Sequence, residues 1–227
     1  MSREIMVISL GGSLVVPDDI DVNFLKRFRS LILEQIDQGK RFVMVCGGGQ
    51  TARNYQNAAE QTTELSREDL DWLGIYGTRI NAYLLKKIFK KESHSEVITN
   101  PEEEINFKEN ILVAAGWKPG ASTDLMAVLL AKKFKTNKVI NLTDIDYVYD
   151  KDPERYDNPQ PEKRISWDKF RDIIPEEWSP GLSSPFDPAA SRKAEENDIE
   201  VAIINGSELS RVEDYLKGKN FKGTLIR

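Results

Sequence analysis

The chain has 227 residues, of which 40% are hydrophobic and 30% are charged. This is enough for one large α/β core, and we expect a single domain over residues 1–227. The formal net charge is -5 and no long basic run is present, which disfavours a nucleic-acid-binding protein. No leader-like segment opens the chain and no apolar run approaches the ~20 residues of a membrane helix. We therefore expect a cytoplasmic protein without a membrane anchor.

The first predicted βα unit begins with the apolar run Ile5 to Leu10, which ends at Gly11-Gly12-Ser13. A continuous β-prone run of this length is typical of a parallel strand that is buried on both faces. Apolar residues then recur at helical spacing from Val22 to Gln38, and Gly39 stands where a helix C-cap is expected. Strand, glycine turn and crossover helix thus follow one another in the order of a parallel α/β protein.

The second unit repeats this order, with a strand from Phe42 to Cys46, the turn Gly47-Gly48-Gly49 and a helix from about Thr51 to Thr62. Cys46 lies inside the apolar run, so we interpret it as a small buried hydrophobe. A longer helix is predicted from about Arg67 to Lys91. Its apolar stripe, most of which we expect to face the core, consists of Leu70, Leu73, Ile80, Leu84, Leu85 and Ile88.

The remaining elements continue the alternation of strands and helices. A loop from Ala115 to Asp124 precedes an alanine-containing helix, with Asp124 at its start. The predicted strands are Val97 to Thr99, Asn110 to Ala114, Lys138 to Leu142 and Val201 to Ile204, and the predicted helices are Leu125 to Phe134, Ser166 to Ile173, Pro188 to Asn197 and Glu208 to Leu216, with a Ser/Pro loop over 179–188. We predict a three-layer α/β/α sandwich around a central, mostly parallel sheet.

The two glycine turns suit phosphate groups. Glycine lets the backbone approach an anion, and the amides that open the following helix point at it with a favourable dipole. Either turn alone could be an ordinary tight βα connection, and the spacings of the P-loop and of the dinucleotide-binding fingerprint are absent. Arg53 lies one helical turn beyond Gly49, where a guanidinium could neutralise phosphate oxygens or simply lie at the surface. Two such turns together favour a phosphate-binding function.

Five motifs carry a family resemblance over nearly the whole chain. They are Leu10-Gly11-Gly12-Ser13, Gly47-Gly48-Gly49 with Ala52-Arg53, Trp117 to Asp124, Asp146 to Asp152-Pro153, and Asp187-Pro188-Ala189-Ala190. In this order they resemble the amino acid kinase superfamily, and most closely its archaeal-type uridylate (UMP) kinases. The resemblance implies transfer of the γ-phosphoryl group of ATP to UMP, which gives ADP and UDP in pyrimidine nucleotide biosynthesis.

The resemblance also implies roles for particular residues. The part of the chain over about 1–135 would bind the acceptor and the part over about 136–227 would bind ATP. Arg53, Asp124 and Ser13 would be catalytic. UMP would contact Gly48, Asp71, Trp117, Lys118, Pro119, Gly120, Ala121, Ser122 and Thr123, and ATP would contact Gly12, Ser13, Gly49, Arg53, Thr143, Asp144, Tyr149 and Asp152. Mg²⁺ would accompany ATP without a metal site of the protein's own, and similar enzymes form hexamers, so a homo-oligomer is expected.

The chain departs from this family pattern at several positions. Ser9 stands where relatives usually carry lysine or aspartate, Asp144 where asparagine is common, and Tyr147 where glycine follows the equivalent of Asp146. Residues 178–186 form an insertion-like segment that could cover a nucleotide. His94, the one histidine, lies in a polar turn, which disfavours the isopentenyl phosphate kinases and their active-site histidine.

Three functions therefore stay open from the sequence. The first is UMP kinase, and the second is a kinase of another small acid such as N-acetylglutamate or carbamate. Asp71 favours the nucleotide, because a carboxylate suits the vicinal hydroxyls of a ribose. The third is a nucleotide-binding sensor or storage protein that has lost catalysis, suggested by Ser9, Asp144 and Tyr147. Phosphoryl transfer depends on positioning and charge neutralisation, so none of the three requires a side-chain nucleophile.

Overall fold

The computed structural model describes residues 4–152, 156–175 and 184–227. Its strands, in chain order, are β1 Ile5–Leu10, β2 Arg41–Cys46, β3 Ser93–Ile98, β4 Ile111–Ala114, β5 Lys138–Thr143, β6 Val148–Tyr149, β7 Pro161–Glu162, β8 Arg164–Ile165, β9 Glu200–Asn205 and β10 Thr224–Ile226. Eight of them form one sheet in the order β3-β4-β2-β1-β5-β9-β10-β8, and β6 pairs with β7 as a separate ribbon. All pairs in the large sheet are parallel except β9 with β10.

Helices cover both faces of this sheet. They are α1 Gly12–Val15, α2 Val22–Asp37, α3 Gly49–Glu60, α4 Arg67–Ile88, α5 Thr123–Lys133, α6 Trp167–Ile173, α7 Pro188–Glu195 and α8 Leu209–Leu216. Apolar residues of α1, α2, α4 and α8 form one buried cluster with one face of the strands, and those of α5, α6 and α7 form a second cluster with the other face. The three-layer α/β/α prediction is confirmed.

The central strand β1 explains why the apolar runs are continuous. It lies between β2 and β5 in parallel register, with Ile8 opposite both Met44 and Ile140. Ile8 faces the α2 side of the sheet and Val7 faces the α5 side, and both are fully buried. A strand covered on both faces needs apolar side chains at successive positions. Cys46 is likewise fully buried, and burial raises the pKa of its thiol to about 12, as expected for a structural cysteine.

The long helix α4 differs from the prediction in the face that it buries. Ile80, expected in the core, has 61% of its surface exposed, whereas Thr78 and Asn81 are buried. The reason is the close approach of α3: a Cβ on Gly77 would lie 2.8 Å from the Cα of Ala52. Only small and polar residues fit between helices this close, so the larger side chains turn outward. The helix also ends at Ile88 rather than Lys91.

The sequence did not predict the strand pairing at one edge of the sheet. The short strand β8 and the antiparallel strand β10 extend it beyond β9, and β6 with β7 forms a two-stranded ribbon beside it. Residues 176–183, which contain half of the predicted Ser/Pro loop, lie outside the described residues, as does Pro153. Within the described ranges, no helix combines the length and the apolar character that crossing a membrane requires.

Candidate active site

The two glycine turns lie against each other at the carboxyl edge of the sheet. The Gly47 amide donates to the carbonyl of Leu10 at 2.9 Å, which ties the second turn to the end of β1. A Cβ on Gly12 would lie 2.1 Å from the nitrogen of Gly49, and one on Gly49 would lie 2.2 Å from the carbonyl oxygen of Gly12. Gly49 also has a φ of 54°, which favours glycine. Both turns therefore need glycine because their backbones are in contact.

Each turn leads directly into a helix, since α1 begins at Gly12 and α3 at Gly49. No side chain caps the start of either helix. Helix N-termini carry partial positive charge, and α3 is long enough for its dipole to matter. The geometry suits an anion shared between the two turns, next to the partly buried Ser13.

Asn81 of α4 holds the second glycine turn through its side-chain amide. Its Nδ2 donates to the carbonyls of Gly47 at 3.0 Å and Gly48 at 2.9 Å, and its Oδ1 accepts from the hydroxyl of Thr51 at 3.1 Å. The side chain is only 4% exposed. Sequence reasoning did not assign Asn81 a role, although a buried amide in the inward face of a helix is a usable signal. It determines where the turn's backbone lies.

Arg53 projects from the first turns of α3 and is exposed. Its Nε donates to the Oε1 of Gln50 at 2.9 Å, so a neutral amide holds the guanidinium on the side of the helix start. Because Gln50 is neutral, this hydrogen bond does not neutralise the positive charge of Arg53. The position fits the predicted contact with a phosphate near Gly49.

The loop that precedes α5 is fastened to α4. The Gly116 amide donates to the hydroxyl of Thr78 at 2.8 Å, and the guanidinium of Arg79 donates to the carbonyls of Gly116 and Trp117 at 3.3 and 3.1 Å. Farther along, the Gly120 amide donates to Oδ2 of Asp71 at 2.8 Å. The structure thus brings Asp71 to the loop predicted to contact the acceptor.

Asp124 is a partly buried carboxylate at the centre of the site. Ser122 caps α5 by accepting from the Leu125 amide at 3.0 Å, so Asp124, which lies in the first turn of this helix, is not its cap. Asp124 instead accepts two hydrogen bonds from other elements. The Ser9 hydroxyl donates to its Oδ1 at 2.8 Å, and the Asp187 amide donates to its Oδ2 at 3.2 Å. The carboxylate therefore joins β1, α5 and the start of α7.

The surroundings of Asp124 favour its protonated form more than water does. Burial raises the pKa of Asp124 to about 6, and the nearby Asp187 carboxyl adds to the rise, while the Ser9 hydrogen bond opposes it. Asp187 is 5% exposed, and burial also raises its pKa. It caps α7 by accepting from the Ala190 amide at 2.6 Å. Two neighbouring carboxyls with raised pKa values are typical of functional sites.

The predicted donor-binding residues follow β5. Gly11 donates from its amide to the carbonyl of Leu142 at 2.8 Å, which places the end of β5 beside the first glycine turn. Thr143 and Asp144 follow at once, and the Thr143 hydroxyl donates to Oδ1 of Asp144 at 3.2 Å. Tyr149 lies farther along in β6, and the exposed Asp152 follows it in the chain. In the sheet, β5, which these residues follow, lies on one side of β1, and β4, which precedes the loop predicted to contact the acceptor, lies on the other.

Comparison with known proteins identifies the family. The protein-family model described as "Amino acid kinase family" matches residues 4–205 of the chain. The chain belongs to the amino acid kinase family. It is 32% identical to the uridylate kinase of Thermococcus sibiricus over 97% of this chain and 98% of that protein, and 32% identical to that of Hyperthermus butylicus over 100% and 99%.

Solved structures agree on the fold of this amino acid kinase. A crystal structure of uridylate kinase from Archaeoglobus fulgidus has a TM-score of 0.81 and 27% identity, covering 99% of this chain and all of that one. The UMP kinase of Bacillus anthracis has a TM-score of 0.79 at 20% identity, with coverage of 100% and 97%, and bears on the fold alone.

The sequence also did not predict the ion-pair cluster that holds the loop after β5. Asp146 of this amino acid kinase accepts from Lys222 and Arg211 at 2.7 and 2.6 Å, and from Asn205 at 3.0 Å. These partners, which lie 59 to 76 residues away, keep the pKa of Asp146 well below its usual range. Asp146 is therefore a structural anchor that connects the predicted donor loop to α8 and to the segment before β10.

Proposed function

We propose that this amino acid kinase is a UMP kinase that transfers the γ-phosphoryl group of ATP to UMP. The observation that carries the proposal is the contact between the two glycine turns, which makes one shared anion site next to Asp124. Similarity to uridylate kinases over nearly the whole chain supports the choice of acceptor. Gly12, Ser13, Gly48 and Gly49 surround the phosphoryl group in transfer.

Catalysis rests on positioning and charge. The amides of the two turns and the Arg53 guanidinium stabilise the negative charge of the phosphoryl oxygens, and Asp124 orients the groups around them. Among the described residues, no three His, Cys, Asp or Glu side chains are grouped to hold a metal ion. Mg²⁺ commonly keeps several waters and is held by substrate phosphates, so we expect it to enter with ATP and not at a metal site of the protein's own. Bound with ATP, Mg²⁺ supplies positive charge to the transferred group.

The acceptor half extends over about residues 1–135. Asp71 binds the ribose hydroxyls of UMP, and the loop from Trp117 to Thr123 encloses the nucleotide. Support comes from the hydrogen bond between Asp71 and Gly120, which places that carboxylate against the loop. A carboxylate can accept from the Gly120 amide and from a ribose hydroxyl at the same time, so Asp71 would connect the loop to the bound nucleotide.

The donor half extends over about residues 136–227. ATP contacts Thr143, Asp144, Tyr149 and Asp152. The strand order supports this assignment, because β5, which these residues follow, lies next to β1 and its glycine turn. Tyr147 packs edge-to-face on Tyr149, with ring centroids 6.4 Å apart. An aromatic ring at position 147 therefore orients Tyr149, which gives this departure from the family pattern a structural role.

Self-association through α4 fits the same proposal, as a homo-oligomer and, by resemblance, a hexamer. The outward face of α4 carries four large side chains with 37% to 61% of their surface exposed, namely Trp72, Tyr76, Ile80 and Tyr83. Contiguous apolar surface of this kind marks interaction sites.

The cytoplasm, where ATP and UMP are made and used, is the proposed location.

An acceptor panel tests the proposal. With ATP and Mg²⁺, we expect ADP formation with UMP and little with N-acetylglutamate or carbamate. Asp71→Asn should raise KM for UMP by about tenfold or more, since one hydrogen bond to a charged group is worth ~1.5 kcal/mol or more. Glu68→Gln, in the exposed first turn of the same helix, is the matched control. ADP formation with another acceptor would favour the small-acid kinase, and binding without turnover would favour the sensor.

A further inference from the structure

Ser9 is a polar residue near the carboxyl end of the otherwise apolar strand β1. It lies in β1 between Val45 of β2 and Asn141 of β5, and only 2% of its surface is exposed. It follows the alternation of Val7 and therefore points to the α5 side of the sheet. A buried hydroxyl at the centre of a parallel sheet requires a partner, and here the partner is the carboxylate of Asp124.

The geometry determines how that carboxylate can lie. Its Oδ1 accepts from Ser9 on β1 at 2.8 Å and its Oδ2 accepts from the Asp187 amide at 3.2 Å. The two donors come from separate elements, so the carboxylate cannot rotate without losing at least one of them. Asn141, the neighbour of Ser9 on β5, donates to the carbonyl of Pro185 at 2.9 Å and so holds the segment that leads to Asp187.

We propose that Ser9 is a positioning residue for phosphoryl transfer, whose hydroxyl orients the Asp124 carboxylate through the hydrogen bond to its Oδ1. This inference rests on the proposed function, because Asp124 is the group that Ser9 serves. Ser9 does not touch the substrates in this scheme and acts only through the carboxylate.

The surroundings explain why one hydroxyl matters. The strand side chains that face α5 from β1, β2 and β5 are uncharged, chiefly Val7, Val45, Val139 and Asn141. From α7 the ionisable group nearest Asp124 is Asp187, whose carboxyl disfavours a second negative charge, and Arg192 acts on Asp187. Burial and the Asp187 carboxyl both raise the pKa of Asp124, and the side chain that lowers it is Ser9. Because a hydroxyl brings no charge, that pKa stays near 6, and activity should depend on pH close to neutrality.

A purely structural role for Ser9 would look different in a pH profile. Losing a buried hydroxyl that only fills space lowers activity or stability by the same factor at every pH. Losing a donor to an ionised carboxylate raises the pKa of that carboxylate, so its effect depends on pH. Ser191 supplies the control, because it is fully buried on the same side of the sheet and donates to the carbonyl of Pro188 at 2.7 Å.

The first measurement is kcat/KM from pH 5.5 to 9 for the wild type, Ser9→Ala and Ser191→Ala. We expect Ser9→Ala to lose about fivefold more activity at pH 6 than at pH 8.5, the effect of raising the pKa of Asp124 by about one unit from a value near 6. The phosphates of ATP and UMP also titrate near pH 6, but they do so equally in all three proteins and cancel in the ratio. A loss that is independent of pH, as expected for Ser191→Ala, would overturn the proposal.

The second measurement needs no substrate. The free energy of unfolding of Ser9→Ala should fall relative to the wild type as the pH rises from 5 to 8, because only the ionised Asp124 uses the Ser9 donor. If UMP is not phosphorylated but this pH dependence is present, the proposed function fails and the Ser9–Asp124 linkage stands. If UMP is phosphorylated and neither measurement depends on Ser9 in this way, the inference fails. Should Ser9→Ala not fold, Ser9→Cys provides a weaker donor of similar size for both measurements.

Discussion

Replacing Asp124 by asparagine should weaken the enzyme and make the fold less sensitive to pH. The pKa of this carboxyl rises from 3.8 to about 6 in the fold, chiefly because of burial. Each factor of ten in proton affinity is worth about 1.4 kcal/mol, so ionising Asp124 in the fold costs up to about 3 kcal/mol more than in the unfolded chain. The group remains partly accessible to solvent, which makes this an upper value.

The sign of the effect follows from the direction of the shift. The free energy of unfolding of the wild type falls by this amount as the pH rises from about 4 to above 6, where Asp124 ionises in the folded protein. Asp124→Asn carries no such cost. Its free energy of unfolding, relative to the wild type, should therefore increase by up to about 3 kcal/mol between pH 4 and pH 8. Costs that do not depend on pH, such as the weakened bond to the Asp187 amide, cancel in that difference.

Urea denaturation at pH 4, 5, 6, 7 and 8 measures this difference, and steady-state kinetics at pH 8 measure the loss of activity. We expect turnover of UMP to fall by about a hundredfold or more, as when a preorganised group around a developing charge is removed. Asp37→Asn, at the exposed end of α2, controls for the loss of a carboxyl in general. A constant stability difference across the pH range, or unchanged turnover, would refute the assignment of Asp124.

Two further substitutions test the glycine turns. Arg53→Ala should lower kcat/KM at least about tenfold through loss of a charge-assisted bond to phosphate, and equal activity of Arg53→Ala and Arg27→Ala, an exposed arginine of α2, would contradict the role. Asn81→Asp removes the two donors to the Gly47 and Gly48 carbonyls, so unfolding free energy should fall by about 2 kcal/mol or more, with a loss of activity. Asn197→Asp, which loses one bond to a helix carbonyl far from the turns, should cost less than half as much in denaturation.

Much of the fold followed from local patterns. The apolar runs of β1, β2 and β5 predicted strands buried on both faces, and the helical spacing before Gly39 predicted α2 to within one residue. The order of strand, glycine turn and helix predicted the α/β/α layers. The interior face of α4 was not predictable in the same way, because the hydrophobic stripe of the sequence takes no account of how closely α3 approaches. That approach selects Gly77 for the contact and leaves Ile80 exposed.

The sequence by itself determined the chemistry available at the carboxyl edge of the sheet: two glycine turns, an arginine near the second, and carboxylates at strand and helix ends. Only the tertiary structure decided which of these groups meet. Ser9 and Asp124 are 115 residues apart and Asn81 is 34 residues from Gly47, yet each pair is in hydrogen-bond contact. Hydrophobic periodicity reports which way a side chain faces within its own element, whereas such contacts depend on the parallel register of β1 with its neighbours and on the packing of α4 and α5 against them.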